Sequence, residues 1–116
     1  MTDASDDFIN MTATEAVARL RSKEVSPLDL VEASIRRIET TDTEVNALPI
    51  HCFDQARDQA KSLELEGHTA NPKSLCGLPI AVKDYNDLGG VITTYGSPIF
   101  ANNVAQKSDA TVRKLQ

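Results

Sequence analysis

Lys83 is the residue whose position most invites chemistry. It follows Gly77-Leu78-Pro79-Ile80-Ala81-Val82, the most strongly apolar stretch of the chain. Lysine is among the residues least often fully buried, so one placed directly after such a run calls for an explanation. Desolvation disfavours the ammonium form and lowers a lysine pKa by up to several units from ~10.4. A neutral amine produced that way accepts a proton near neutral pH, which is the requirement for a general base. Two plainer roles stand beside it: snorkelling into solvent from a strand end, or an ion pair with Asp84 or Asp87.

Other residue sets are poorer in chemistry. His51-Cys52 with His68 and Cys76 form neither a recognised zinc spacing nor a recognised thiol dyad. Gly89-Gly90 and Gly96 lack the P-loop order of glycines followed by Lys-Ser/Thr at a helix start, so backbone turns explain them better. Nothing beside Lys83 points to an aldehyde cofactor, and no metal or organic cofactor is expected. Ser97 precedes Pro98 and reads as a turn or helix cap.

The elements that must position Lys83 are legible in outline. Residues 1–11 form an acidic lead-in, with Phe8 and Ile9 as docking points. Thr12-Ala-Thr-Glu15 is a capping box opening a short helix with Ala13, Ala16, Val17 and Leu20 on one face. Ser26-Pro27-Leu-Asp29 combines a serine cap, proline at the first helical position and an acid in the first turn. Its helix carries Leu28, Val31, Ile35 and Ile38 as a stripe and is expected to end near Thr40. Asp54 is the expected cap of a third helix, with Ala56, Ala60 and Leu63 inward and Gly67 as its stop. Residues 68–74 are a polar loop, and Ser108-Asp109 begins a last helix with Val112 and Leu115 inward.

Short strands are expected at 47–53, at 78–82 and at 91–94. The second lacks alternation, as suits a strand buried on both faces. Helices alternating with strands point to an α/β fold with helices packed on a mixed β-sheet. Three short strands and four helices scarcely cover such a sheet, and the last helix stops at Gln116 after barely two turns. The chain therefore reads as the front of a larger fold.

Residues 77–101, GLPIAVKDYNDLGGVITTYGSPIFA, resemble the lysine-bearing segment of the amidase-signature family. The likeness comprises Gly77, Pro79, the apolar pair before Lys83-Asp84, Asp87, the glycine-rich turn, Thr93-Thr94, Gly96-Ser97 and Phe100, and then Asp109-Ala110-Thr111-Val112. Upstream, the Ser26-Pro27 helix, Asn46-Ala47 and the helix after Phe53 fit the family's N-terminal region. The resemblance implies that residues 12–116 are the N-terminal portion of an amidase domain. It also implies amide hydrolysis by a Ser–cis-Ser–Lys triad, with Lys83 as the base that deprotonates the bridging serine. The Gly/Ser-rich segment that supplies both serines in the family has no counterpart among these residues, so the chain alone is expected to be inactive. Tyr85 stands where the family often has asparagine. An ammonia-releasing subunit of a glutamine-dependent amidotransferase is the alternative, and a non-catalytic module retaining only the front of the fold is another.

The bulk properties narrow the partners. The net charge of −5 comes without a basic cluster, which disfavours nucleic acid and anionic membranes. Two cysteines do not make a disulfide scaffold in a chain of 116 residues, and they read as small buried hydrophobes in a reducing compartment. The acidic N-terminus does not resemble a secretion signal, and no apolar run reaches membrane-spanning length. A small-molecule amide in the cytoplasm is the expected substrate, with a homo-oligomer or an amidotransferase partner subunit left open.

Overall fold

The computed structural model describes residues 4–67 and 71–116. Those residues form two compact units, Met1–Pro79 and Ile80–Gln116.

The first unit contains α1 (Ala4–Ile9), α2 (Ala13–Arg21), α3 (Pro27–Val45) and α4 (Phe53–Glu66). Both capping boxes form. Thr12 Oγ1 accepts from the Glu15 N–H at 3.2 Å while Glu15 Oε2 accepts from the Thr12 N–H at 2.8 Å. Ser26 and Asp29 repeat this reciprocity at 3.1 and 2.9 Å, with Pro27 at the first helical position. Each box satisfies two backbone donors that a helix start otherwise leaves unpaired.

The central helix is α3, with α1 and α4 both packed on it. Its expected stripe is only one of two buried sides. Val31 and Ile35 pack with Ala60 of α4, and Leu28, Phe53 and Ala56 border that cluster. Leu30, one step round the helix, joins Ala16, Leu20, Val25 and Cys76 instead, against which Phe8, Met11, Val17 and Leu78 pack. A helix with neighbours on two sides buries a wider arc than a single amphipathic stripe. The docking expected of Phe8 is thus present, on a lead-in that is helical from Ala4.

The end of α3 is Val45 and not Thr40. The Thr40 and Thr41 hydroxyls donate to the Arg36 and Arg37 carbonyls, the i−4 back-bond that satisfies a threonine hydroxyl inside a helix. Termination falls to Asn46, at φ 52°, and to Asp42, whose carboxylate accepts from the Ala47 and Leu48 N–H groups. Helix α4 begins one residue before Asp54, which lies in its first turn and does not cap it, and stops at Gly67 as expected. Arg57 ties α4 to α3, pairing bidentately with Glu32 at 2.6 and 3.2 Å and reaching Asp54 at 3.2 Å.

Residues 71–79 are tied to α2 and α3. Arg21 donates from Nη2 to the carbonyls of Pro72 and Ser74 at 2.5 and 3.1 Å. Cys76 is fully buried, and its Sγ lies 3.5 Å from the Ser74 carbonyl. Gly77 sits at φ 90°, so close to Pro27 that an added Cβ would lie 2.7 Å from two of its ring carbons. The polar loop expected at 68–74 is described only from Asn71 onward.

The second unit is a looped segment with a 3₁₀ turn (Pro98–Phe100) and α5 (Ala110–Leu115). Val112 of α5 is buried, whereas Leu115 is 47 % exposed and does not face inward as its spacing predicts.

The mixed β-sheet does not form: the described residues are helical and contain no strand. A strand exists only through a partner whose N–H and C=O groups meet its own. Residues 78–82 have no such partner among the described residues, and Ile80 is 44 % exposed. At 47–53, Pro49 lacks a backbone donor and the chain enters α4 at Phe53. Only 91–94 pairs at all, through a single antiparallel bridge between Ile92 and Val104. Bonds from Thr93 N to Asn103 O and from Ala105 N to Val91 O, both 2.9 Å, flank that bridge.

Candidate functional site

The candidate site lies within the second unit, where Lys83 opens the loop leading to Gly96. Lys83 is exposed, with Nζ 5.3 Å from the centroid of the Tyr85 ring. The apolar run before it does not pack as a two-sided strand, so the desolvation expected of its amine is not supplied by the described residues. Nor does Lys83 form an ion pair with a neighbouring acid among those residues.

The acids on which such a pair would depend are committed elsewhere. Asp84 accepts from the Thr94 hydroxyl in a short hydrogen bond and from the Thr94 N–H at 2.7 Å. These bonds, the hydroxyl's foremost, hold the Asp84 carboxyl below its usual range, with a smaller contribution from the Gly96 N–H. Asp87 accepts from the Tyr95 hydroxyl at 2.8 Å, and that bond pushes the phenol pKa upward. The backbones of Asp87 and Asp109 are also joined. Asp87 N–H donates to Asp109 Oδ2 and Asp109 N–H to the Asp87 carbonyl, each at 3.0 Å. Asp109 thus anchors the start of α5 without capping it through its side chain.

The turn at the far side of this network has an unusual backbone. Tyr95 and Gly96 occupy the left-handed region in succession, at φ 52° and 71°. For tyrosine that conformation costs about 1–2 kcal/mol, so it persists only where its surroundings enforce it. The Asp87 hydrogen bond and an edge-to-face contact with Phe100, at 5.3 Å between centroids, are the observed constraints. Gly89 is held through its N–H by Ser108 Oγ at 2.9 Å.

The remaining candidates have structural roles. Ser97 accepts from the Ile99 N–H and caps the 3₁₀ turn, as its place before Pro98 predicts. His51 stacks on Phe53 at 4.5 Å. Cys52 and Cys76 are both free thiols, and burial raises the pKa of Cys52. Among the described residues no three His, Cys, Asp or Glu side chains gather as a metal site, and His68 lies outside them. Also among them, no helix is long and apolar enough to cross a membrane.

Chemically, this arrangement presents an amine with no carboxylate held against it in its own unit. It lacks, among the described residues, the hydroxyl–base contact that activates a nucleophile. Sequence reasoning singled out Lys83, Asp84 and Asp87, took the 86–97 loop as scaffold around Lys83 and placed Thr94 and Asp109 in the family segment, but it gave neither their pairings nor a role for Tyr95. The Asp84–Thr94 bond joins residues ten apart, a separation to which no local pattern points.

Comparison with known proteins places this loop in a family context. The family model described as Amidase matches residues 29–116, a span that includes Lys83 and the whole network. An amidase of Pseudomonas putida is 33% identical over 108 residues, covering 91% of this chain and 22% of that protein. A glutamyl-tRNA(Gln) amidotransferase subunit of Anaeromyxobacter dehalogenans is 33% identical over 117 residues, covering 100% of this chain and 24% of the relative. The same amidotransferase subunit of Desulfatibacillum aliphaticivorans is 34% identical over 109 residues, with coverages of 91% and 22%. The chain thus spans less than a quarter of the length of these curated relatives.

Proposed function

The chain belongs to the amidase family, and on that premise we propose that it is the lysine-bearing N-terminal portion of a C–N amide hydrolase with Lys83 as general base. The observation that carries this reading is the family match across 29–116, which includes the Lys83-Asp84 segment. In the proposed mechanism Lys83 takes a proton from a bridging serine, which takes one from the nucleophilic serine. The nucleophile attacks the amide carbonyl, amine leaves, and water hydrolyses the acyl-enzyme. Backbone N–H groups beside the nucleophile stabilise the oxyanion. Both serines belong to the part of an amidase chain that follows the segment matched here, and the 116-residue chain alone is inactive.

The test is Lys83→Met in the full-length polypeptide that contains this chain. With a simple amide substrate, kcat/KM falls by at least about a thousandfold, in the upper part of the range for a positioned base. Retained turnover refutes the assignment, as does hydrolysis by a purified 116-residue chain of verified mass.

A second reading is favoured by the names of the relatives, several of which are amidotransferase subunits. In it, the complete protein releases ammonia from glutamine for a partner enzyme. Glutaminase activity that depends on a co-purifying protein supports this reading, and full activity of the isolated protein on unrelated amides excludes it. In either case we place the protein in the cytoplasm and assign it no cofactor.

A further inference from the structure

Residues 80–116 contain three acidic side chains, Asp84, Asp87 and Asp109, and each is engaged by a named donor within the unit. Two of those donors are consecutive hydroxyl residues, Thr94 and Tyr95. We propose that Thr94 and Tyr95 are positioning residues whose hydroxyls hold the Asp84 and Asp87 carboxylates and so keep the Lys83 amine free of a counter-ion. The importance of that freedom rests on the reading of Lys83 as a base.

The physical case starts from sequence proximity. Asp84 adjoins Lys83 and Asp87 lies four residues beyond Lys83 along the same loop, so both are the natural partners of a flexible ammonium. A carboxylate within about 4–6 Å favours the charged amine and opposes its service as a base. Asp84 instead accepts from the Thr94 hydroxyl and N–H, and Asp87 from the Tyr95 hydroxyl, bonds that hold both carboxylates in place while leaving them charged. Asp109 is taken by the Asp87 N–H. The geometry that makes this work is the left-handed backbone at Tyr95 and Gly96. It directs neighbouring hydroxyls to two acids three residues apart, and it is held at a backbone cost for Tyr95. The resulting loop commits its own carboxylates to its own donors.

The test is competitive trace acetylation of the folded chain with acetic anhydride, read by mass spectrometry as labelling of Lys83 relative to Lys61. In the Thr94→Val/Tyr95→Phe variant the released carboxylates pair with Lys83, and its relative labelling falls about 1.5- to 5-fold, the range of an exposed ion pair. Adding Asp84→Asn and Asp87→Asn to that variant restores the wild-type value. The two asparagine substitutions alone leave Lys83 labelling unchanged, because among the described residues neither carboxylate is paired with the amine in the starting structure. Thr94→Ser, which keeps the hydroxyl, also leaves it unchanged. Three results overturn the proposal: no fall in a folded Thr94→Val/Tyr95→Phe variant, a fall that persists after both acids are neutralised, or increased labelling in Asp84→Asn/Asp87→Asn alone. That last variant retains the hydroxyl donors and decides the matter even where Thr94→Val/Tyr95→Phe does not fold. Labelling does not depend on turnover, so its failure is distinct from failure of the catalytic reading, which Lys83→Met tests.

Discussion

Replacing Gly77 by alanine probes a close approach in the first unit, between Gly77 and Pro27. Gly77 has φ 90°, and a Cβ there would meet Cβ and Cγ of Pro27 at 2.7 Å each. The left-handed backbone alone costs an L-residue about 1–2 kcal/mol. Forcing a methyl group against a buried proline ring adds about 1–3 kcal/mol, the usual range for overpacking. Pro27 is itself fully buried at the first position of α3 and has little room to give. The expected loss is therefore about 2–5 kcal/mol, the sum of the two effects. Gly67→Ala is the matched control: its φ is 81°, but among the described residues nothing lies within 4 Å of the added Cβ, so it carries the backbone cost only. Urea unfolding followed by far-UV circular dichroism, at fixed protein concentration, measures both variants. The difference between them isolates the Pro27 contact. A Gly77→Ala variant within about 0.5 kcal/mol of Gly67→Ala would falsify the close approach, since independent surface substitutions fall within that spread.

Other consequences are smaller in scope. Leu20 is fully buried among Ala16, Val25, Leu30 and Cys76, and Leu20→Ala should cost about 2–5 kcal/mol in the same urea assay. A loss under about 1 kcal/mol would show that this cluster does not hold the unit together. Stability should also fall in acid. The Glu32 carboxyl is lowered by its hydrogen bonds from Arg57, Glu15 by the Thr12 N–H and hydroxyl, and Asp84 by Thr94. A depressed folded pKa stabilises above the unfolded value, about 4 for these groups, and that stabilisation is lost as pH falls through the folded value. Glu32→Gln should remove part of this acid sensitivity at low salt, and an unchanged profile between about pH 5 and pH 2 would contradict the Arg57 pairing.

What the sequence determined by itself was local. Thr12 with Glu15 and Ser26 with Asp29 act across three residues, and Gly67 stops α4 through its own backbone, so their signals lie side by side in the chain. The segment around Lys83 was likewise legible as a family pattern, because its many matches fall within residues 77–101. Tertiary structure decided what depended on distant partners. An apolar run favours burial but does not supply the neighbour that makes it a strand, and 78–82 has none among the described residues. Leu30 and Val31 divide between two clusters because α3 has neighbours on both sides, which a single helical stripe does not encode. Arg21 reaches Pro72 and Ser74, and Asp84 reaches Thr94, through loops whose closure no short window predicts. Hydrogen bonds of a few ångströms select one partner among many of equal chemistry, and only the folded chain brings the chosen one within reach.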